Sequence, residues 1–491
     1  MNLKEIIVFL MYFIFVLYVG IYFFLKNRRG GEKEYFIGGR QINGYVGALS
    51  AGASDMSSWV LMGLPASVFA AGLSQVWIAV GLIVGTVLSW ILIAPRLRRF
   101  SIVCGDAITI PQYLANRFLS SRKLLQILCA VVFLFAYTIY AASSIKACGI
   151  LFSTVIGIDI TLATYLAAAI IILYTSLGGF SAVCWTDFFQ GIIMLLALLV
   201  TPIVAVFIMN ADSTGFSNIY TEGNFWNLLS SGRLDWESIS SILSGFGWGL
   251  GYFGMPHFIV RFMAIKNSDE MRCAQKLGTT WTTLILTFAV VTGIVGRQMF
   301  FENLSDSSLV FITMVRRISN GIISGLLLSA ILAAAMSSAD SQLLTASSAF
   351  GSDIYRHLVR RNISDKEMLW IGRIVVILTS AVALVIAVNP NSGSIMSLVE
   401  NAWGLFGAAF SPVVLLSLYY KKMTYYGAVA GIFAGAVTDI LWKLFLFNST
   451  KLYEIIPGFL VGFIVVVVVS KFTKKSSKIE QLFDESVSYA N

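Results

Sequence analysis

Residues 49–59 read Leu49-Ser50-Ala51-Gly52-Ala53-Ser54-Asp55-Met56-Ser57-Ser58-Trp59, inside a long apolar segment that spans roughly residues 44–70. Four serines, a glycine and one carboxylate, Asp55, therefore stand in an apolar surrounding. In hydrocarbon each unpaired polar group costs several kcal/mol, and a central aspartate costs about 2.5–3.5 kcal/mol. Small residues also let a membrane helix unwind and present its carbonyls to a cavity. We therefore predict a broken membrane helix that forms an ion and substrate site.

The composition indicates a polytopic membrane protein. Of the 491 residues, 57% are hydrophobic and only 12% are charged, whereas a soluble domain carries about 25% charged residues. The net charge of +9 is attributed to basic cytoplasmic loops, so we expect no nucleic-acid partner. The five cysteines have no metal-ligand spacing, and no nucleotide-binding loop is present. We expect no enzymatic activity, no cofactor and no ATP-driven transport.

Thirteen apolar segments are each long enough to cross about 30 Å of hydrocarbon. They fall near residues 3–26, 44–70, 74–94, 124–152, 159–176, 187–209, 239–260, 276–299, 319–350, 368–388, 396–419, 425–446 and 454–471. With the N-terminus placed outside, 26 of the 34 basic residues fall in the inner connections and the C-terminal tail. By the positive-inside rule this predicts an external N-terminus and a cytoplasmic C-terminus.

The seventh segment is interrupted, like the second. From Ser244 to Pro256 it carries five glycines and a proline, which do not favour a straight helix. The two interruptions lie five segments apart, and such pairs are typical of inverted-repeat transporters. For either segment alone, a glycine-rich packing face is the alternative. The predicted units are a first helix and cytoplasmic loop (1–43), a five-helix repeat (44–209), an external loop (210–238), a second five-helix repeat (239–419), two C-terminal helices (420–471) and a mobile cytoplasmic tail (472–491).

The chain resembles the sodium:solute symporter family over nearly its whole length. The matching stretches are Ala48 to Ser57, Gly247 to Gly254, Leu328 to Ala334, Met336-Ser337-Ser338 and Trp185-Thr186-Asp187. This resemblance implies an all-α, LeuT-like core of two inverted five-helix repeats in a bacterial plasma membrane. It also implies sodium-coupled symport of L-proline by alternating access, with sodium as a co-transported ion and not a cofactor. The alternative substrate is another small carboxylate, such as pantothenate.

The resemblance also implies a sodium site. Its ligands would be the carbonyls of Ala53, Met56 and Ala334 and the hydroxyls of Ser337 and Ser338. Hard oxygen ligands of this kind suit sodium. The family often has threonine at the position of Ser338, so the oxygen is kept while a methyl group is lost. As an alternative, both serines bond back to carbonyls one turn earlier.

Two acids and one arginine are further candidates. By resemblance Asp55 is needed for sodium coupling, either as a ligand or as an acceptor that holds the unwound turn. Asp187 has a matching place in the ion path, or is an acid stabilised at a helix N-terminus. Arg40 is either an inner gate residue or only a topology charge. Asp340, two residues after Ser338, departs from the pattern of proline carriers and leaves the substrate open.

The substrate is expected at the ends of the broken helices. A helix N-terminus suits a carboxylate, and aromatic rings suit an apolar ring with a secondary ammonium. The residues implied by resemblance are Ser57, Trp59, Tyr140, Trp248, Tyr252 and Pro256, although packing is the alternative for the tryptophans and Tyr140. Proton coupling, a ligand sensor and a channel are the rival functions. The short tail argues against a sensor, and broken helices argue against a continuous pore.

Overall fold

The computed structural model describes residues 3–26, 32–120, 123–175, 179–211, 223–300, 304, 306–351, 354–355, 364–474 and 476–489. Part of the loop expected at 210–238 lies outside these residues. Over the described chain the regular structure is helical, with one isolated β-bridge between Ile42 and Ile265. The prediction of an all-α polytopic membrane protein is therefore confirmed.

The described ranges contain 21 α-helices, numbered here in chain order. They are α1 (Leu3–Lys26), α2 (Glu32–Ile37), α3 (Gly44–Asp55), α4 (Gly63–Ala71), α5 (Val76–Leu88), α6 (Ala94–Val103), α7 (Ile110–Arg117), α8 (Leu124–Ile156), α9 (Ile160–Thr175), α10 (Phe180–Ala211), α11 (Trp236–Leu250), α12 (Pro256–Ala264), α13 (Ser268–Phe300), α14 (Val310–Ile318), α15 (Ile322–Ser348), α16 (Asp365–Val388), α17 (Ile395–Tyr419), α18 (Tyr425–Leu441), α19 (Phe447–Thr450), α20 (Ile455–Phe472) and α21 (Ser477–Ser488).

Ten helical stretches of the described chain are long and apolar enough to cross a membrane, and the apolar stretch Ile160–Leu173 is shorter. One of the ten, Ser58–Val103, runs through α4, α5 and α6. Among these ten stretches, those formed by α15 and α17 are the most enclosed, whereas α1, α18 and α20 keep many apolar side chains exposed. Exposed apolar side chains on long apolar helices are what a lipid-facing surface requires.

The first broken helix is formed by α3 and α4. Helix α3 continues to Asp55, and the backbone leaves helical geometry only at Met56 and Ser57. The interruption expected from residue 50 therefore begins six residues later. The reason is close packing: a Cβ at Gly52 would lie 2.4 Å from the ring of Trp281 on α13. Small residues here let two helices approach without unwinding α3.

The second broken helix is formed by α11 and α12. Helix α11 passes through Gly245 and Gly249 without interruption, and the break occupies residues 251–255. A Cβ at Gly249 would lie 2.3 Å from the carbonyl oxygen of Gly81 on α5. The glycine-rich packing face and the helix break are thus both present, in successive parts of the segment.

Residues 477–488 of the C-terminal tail form helix α21. Helix α21 packs on α6 and α7, and the ring of Phe483 lies 5.3 Å from that of Phe100 in an edge-on contact. The Nη1 atom of Arg117 donates to the carbonyl of Ile479 at 3.2 Å. The expectation of a mobile tail is wrong for residues 477–488, because this segment forms an amphipathic helix with a buried apolar face.

Candidate functional site

The break in α3 releases a backbone carbonyl. The N–H of Ser57 donates to the carbonyl of Asp55 at 2.9 Å, so the carbonyl of Ala53 lacks its usual helical donor. That oxygen accepts instead from the hydroxyl of Ser337 at 2.8 Å and from that of Ser338 at 3.4 Å. The Ser337 hydroxyl also lies 3.1 Å from the carbonyl of Ala334. Four of the five expected sodium ligands therefore lie together between α3 and α15.

The fifth expected ligand, Met56, lies at the break itself. Its N–H closes the last turn of α3 on the carbonyl of Gly52 at 2.8 Å. The hydroxyl of Ser337 does bond back to its own helix, as the alternative stated, but it also crosses to α3. The bond back to the carbonyl of Ala334 is thus present, and it does not prevent Ser337 from reaching the carbonyl of Ala53 on the other helix.

Aromatic side chains converge on Asp55. The phenol hydroxyl of Tyr252 donates to its Oδ2 at 2.5 Å. The hydroxyl of Tyr140 and the Nε1 of Trp59 donate to its backbone carbonyl at 3.0 and 3.3 Å. Asp55 and three of the residues expected for substrate binding, Trp59, Tyr140 and Tyr252, thus lie together in one buried region.

Several buried polar atoms beside the break lack a hydrogen-bond partner among the described residues. They are Asp55 Oδ1, the hydroxyls of Ser57 and Ser58, and His257 Nε2. The last lies 3.9 Å from Asp55 Oδ1. Leaving such atoms unpaired is costly, and the C-terminus of α3 adds negative potential. A cation or a zwitterion entering this region would satisfy these atoms.

The two expected tryptophans pack against each other across the breaks. The ring centroids of Trp59 and Trp248 are 6.2 Å apart, and Trp248 also packs on Tyr453 at 5.3 Å. The Nε1 of Trp403 donates to the carbonyl of Trp248 at 2.8 Å. Pro256 is the first residue of α12 and lines a small cavity of about 20 Å³ together with Phe133, Thr345 and others.

Asp187 forms a buried ion pair. Its Oδ2 lies 3.2 Å from the Nη2 of Arg261 on α12 and accepts from the hydroxyl of Ser50 on α3 at 2.7 Å. Helix α10 begins at Phe180, so Asp187 is in the third turn and the interpretation as a helix N-terminal acid is wrong. The pair connects α10 with both broken helices.

Arg261 was not among the functional residues predicted from the sequence. It donates to the carbonyl of His257 at 2.5 Å, to the hydroxyl of Ser341 at 2.5 Å and to that of Ser50 at 3.2 Å. His257, one turn before Arg261 on α12, donates its backbone N–H to the hydroxyl of Tyr137 at 2.9 Å. Both were missed, although an ionisable residue in an apolar segment is itself a signal for a functional site.

Arg40 lies in a polar network that joins the residues before α3 to those after α6 and at the end of α12. Its Nε lies 2.9 Å from Asp106 Oδ1, and its Nη1 and Nη2 donate to the carbonyls of Met263 and Ala107 at 2.6 Å each. Lys33 also pairs with Asp106. Partial burial raises the pKa of the Asp106 carboxyl, but Lys33 and Arg40 outweigh it, and the net pKa is lower than usual. Arg40 therefore makes specific contacts, which an arginine that serves only as a topology charge would not need.

The features above define an all-helical membrane protein that is built around two broken helices. Similar solved structures include a Na⁺-coupled sialic acid symporter in a substrate-bound outward-open state, with a TM-score of 0.80 and 20% identity over 96% of this chain and 98% of that one. Another is Mhp1, a nucleobase-cation-symport-1 family transporter in a closed conformation, with a TM-score of 0.57 and 12% identity over 92% and 98%. At these identities the likeness establishes the fold.

The sequence model of the sodium:solute symporter family matches residues 35–435. Among the relatives, the osmoregulated proline transporter OpuE of Bacillus subtilis (strain 168) is 42% identical over 97% of this chain and 96% of its own length. The high-affinity proline transporter PutP of the same strain is 42% identical over 93% and 96%. The sodium/proline symporter of Staphylococcus aureus (strain JH9) is 42% identical over 96% and 94%. The chain belongs to the sodium:solute symporter family, whose members are transporters and not enzymes.

Proposed function

We propose that this protein takes up L-proline together with sodium by alternating access across a bacterial plasma membrane. The observation that carries the proposal is the set of oxygens at the break of α3, where the freed carbonyl of Ala53 meets the hydroxyls of Ser337 and Ser338. The printed names of the relatives, two proline transporters of Bacillus subtilis and a sodium/proline symporter of Staphylococcus aureus, support the substrate and the ion.

Sodium binds between α3 and α15, where the hydroxyls of Ser337 and Ser338 turn their hydrogens away from the carbonyl of Ala53 and direct oxygen lone pairs to the ion. Its ligands are the carbonyls of Ala53, Met56 and Ala334 and the hydroxyls of Ser337 and Ser338. The Asp55 carboxylate, one residue before Met56, supplies negative charge close to the ion. Asp187 acts on the same helix through Ser50, which lies one turn before Ala53. The hydroxyl of Ser50 donates to Oδ2 of Asp187 at 2.7 Å. Sodium binding is thus coupled to the position of α3.

Proline binds between the two breaks. Its carboxylate is directed to the N-terminus of α12 at Pro256, where the helix dipole is positive. Its ammonium is directed to the free oxygens of Asp55 and Ser57, and its ring packs between Trp59 and Trp248. The hydroxyls of Tyr140 and Tyr252 hold the unwound turn from the side.

The membrane architecture that we infer has thirteen crossings. Nine of the ten long apolar stretches and the shorter stretch Ile160–Leu173 each cross once, and the remaining stretch, Ser58–Val103, divides at Gly72. The part after Gly72 is one crossing. The part before Gly72 joins α3, and together they form the first broken crossing. Helices α11 and α12 together form the second broken crossing. The domain boundaries are those of the sequence: 1–43, 44–209, 210–238, 239–419, 420–471 and 472–491, with 44–209 and 239–419 as inverted five-helix repeats.

The end of the bundle that contains Arg40 faces the cytoplasm. This end carries Arg40, Arg98 and Lys33, in keeping with the positive-inside rule. The N-terminus is then external and the C-terminus cytoplasmic. Arg40 acts as an inner gate, because its network joins residues before α3 to the ends of α6 and α12. Sodium entry supplies about 2.3 kcal/mol per 100 mV of membrane potential to open and reset this gate.

The test is uptake of radiolabelled proline into proteoliposomes with an imposed sodium gradient, or with choline instead. We expect concentrative uptake that requires sodium and is lost in the Ser337→Ala/Ser338→Ala variant. The Ser329→Ala/Ser347→Ala variant is the matched control, because these serines bond only to carbonyls of α15 in the described contacts. Uptake that is indifferent to sodium and to both hydroxyls at 337 and 338 would overturn the mechanism.

A second candidate is sodium- or proton-coupled uptake of another small carboxylate, such as pantothenate. It is favoured by the buried acid Asp340, whose Oδ1 accepts from the hydroxyl of Ser341 at 3.3 Å beside Arg261. Competition by unlabelled solutes distinguishes the substrates. Removing sodium at constant pH distinguishes the two ions, because proton-coupled uptake would persist.

A further inference from the structure

Three acidic residues and one lysine lie at the end of the bundle away from Arg40. The acids are Glu400 on α17, Asp439 on α18 and Glu454 at the start of α20. The spacing of Asp439 and Lys443 would allow an ion pair on one helix. In the structure, however, the ammonium of Lys443 lies 3.0 Å from Glu454 Oε1.

Two of these acids are buried, and each has an oxygen without a partner. Asp439 is 4% exposed and Glu454 is 1% exposed. Within the described residues, Asp439 Oδ1 and Glu454 Oε2 have no hydrogen-bond partner. Both acids border the same point on α17, since a Cβ at Gly404 would lie 3.0 Å from Asp439 Oδ1 and 3.4 Å from Glu454 Cγ.

Glu400 connects this group to water. It lies one helical turn before Gly404 and lines an open cavity of about 480 Å³ together with Tyr453. Its charge interacts with those of Lys443 and Glu454. The other titratable side chains that line this cavity are Glu237 and Lys451. Protons from the aqueous phase can therefore reach the buried carboxylates.

Charge balance indicates that the three carboxylates bind protons. If all three carboxylates were ionised, one ammonium would leave two negative charges in excess among packed helices. Like charges in a poorly hydrated surrounding repel strongly, and neighbouring carboxylates then share protons. A protonated carboxyl could also use the free oxygens as donor and acceptor. We propose that Glu400, Asp439 and Glu454 form a proton-binding site, beside the substrate region and distinct from the proposed sodium ligands, that senses external pH.

The site contacts the substrate region through Tyr453. The phenol of Tyr453 donates to the carbonyl of Glu400 at 2.8 Å, and its N–H donates to the hydroxyl of Ser244 on α11 at 3.0 Å. Its ring packs on Trp248. Proton binding changes how closely α17, α18 and α20 approach, and Tyr453 transmits that change to the second broken helix. External pH thus adjusts substrate binding.

Infrared spectroscopy of the reconstituted full-length protein tests the site directly. The C=O stretch of protonated carboxyls is recorded as the pH is raised, for the wild type, Asp439→Asn and Asp269→Asn. Asp269 is an exposed acid and the matched control. We expect Asp439→Asn to remove part of the titrating band and to shift the midpoint of the remainder by about one pH unit toward acid, because a negative neighbour is gone. Asp269→Asn leaves the band unchanged.

Spectra of Asp439→Asn that superimpose on the wild type would overturn the proposal. If this variant does not fold, Glu400→Gln is measured against the same criterion. The action on substrate binding rests on the proposed function, and it is tested by the KM of sodium-driven proline uptake at varied external pH. We expect the pH at which KM changes to shift with the infrared midpoint. A shifted band with an unshifted KM profile would overturn that action, whereas the infrared result stands even if proline is not the substrate.

Discussion

At the residue scale, the unwound turn is held by aromatic hydroxyl and indole donors. Tyr140 and Trp59 donate to the carbonyl of Asp55, and Tyr252 donates to its carboxylate. These donors come from three different parts of the chain. The turn is therefore fixed in position, while Oδ1 of Asp55 has no hydrogen-bond partner among the described residues and remains available to a ligand.

Removing one of these donors should weaken substrate binding. In Tyr252→Phe the ring and its packing stay, but Asp55 loses a hydrogen bond to a charged acceptor, which contributes about 1.5–3 kcal/mol. We expect kcat/KM of sodium-driven uptake to fall at least about tenfold, given about 1.4 kcal/mol per decade. Proteoliposome uptake is the measurement. Tyr165→Phe on the exposed face of α9 is the control, and equal uptake by both variants would contradict the assignment.

The Asp187–Arg261 pair should behave as a coupled unit. Removing one partner leaves a buried charge alone, which costs about 3–5 kcal/mol. We therefore expect Arg261→Gln and Asp187→Asn each to lower thermal stability in detergent strongly, and the double variant to recover part of the loss. A double-mutant cycle on unfolding midpoints measures this coupling. Additive losses would show that the two charges do not depend on each other.

Sequence alone could indicate that Asp55, Ser337 and Ser338 matter, because polar residues in apolar segments are costly. It could not give the partners of Arg261. Asp187 precedes Arg261 by 74 residues, and one sequence carries no record of such pairings. The serine at position 50 was likewise assigned to unwinding, whereas it donates to Asp187.

At the element scale, α5 and α11 touch backbone to backbone. A Cβ at Gly249 would meet the carbonyl of Gly81 at 2.3 Å, and a Cβ at Gly85 would meet that of Gly249 at the same distance. We expect Gly249→Ala to destabilise the protein by about 1–3 kcal/mol through overpacking. Thermal unfolding in detergent measures it.

Gly20 on α1 provides the comparison for that variant. A Cβ there has nothing within 4 Å, and alanine favours a helix over glycine by about 1 kcal/mol. Gly20→Ala should therefore leave stability unchanged or raise it. Equal destabilisation by both substitutions would mean that helix contact is not the cause.

The long apolar helices were predictable from sequence because continuous hydrophobicity and length are sufficient to recognise them. Break positions were less predictable. A run of small residues favours both an unwound turn and a close helix contact, and the choice depends on the neighbouring helix. At Gly52 the neighbour is Trp281, so the helix continues. The ordered α21 was missed because its apolar face is covered by residues distant in the chain, such as Phe100.

At the scale of the whole molecule, the network around Arg40 should control access from its end of the bundle. Cys104 lies two residues before Asp106 and is 2% exposed. Burial raises the pKa of the Cys104 thiol to about 11, although Arg117 lowers it in part. A buried thiol with so little thiolate reacts slowly. Its labelling rate is therefore a measure of how often this end opens.

Asp106→Asn removes the ion pairs to Arg40 and Lys33, so we expect Cys104 to react with maleimide about fivefold faster. The pKa of Asp106 is below its usual value of about 3.9, so the carboxylate is lost only as the pH falls through that lower value. The ratio of variant to wild-type rates should then stay constant from about pH 6 to about pH 8. Labelling of Cys104 is followed by peptide mass spectrometry.

Asp269→Asn is the reference for this measurement, since its pair with Arg272 is fully at the surface. It should leave the labelling rate of Cys104 unchanged. A ratio for Asp106→Asn that disappears already near neutral pH would show that another group closes this end.

The packing of Trp59 on Trp248 allows ligand binding to be followed by intrinsic tryptophan fluorescence. These two indoles, of eleven in the chain, face each other across the two breaks at 6.2 Å. A small molecule inserted between them separates the rings and changes the polarity around both at once. Emission from these two chromophores therefore registers occupancy without any attached dye. A ligand titration that follows this light, with Trp59→Phe as a blank, counts bound molecules in the same preparation used for transport.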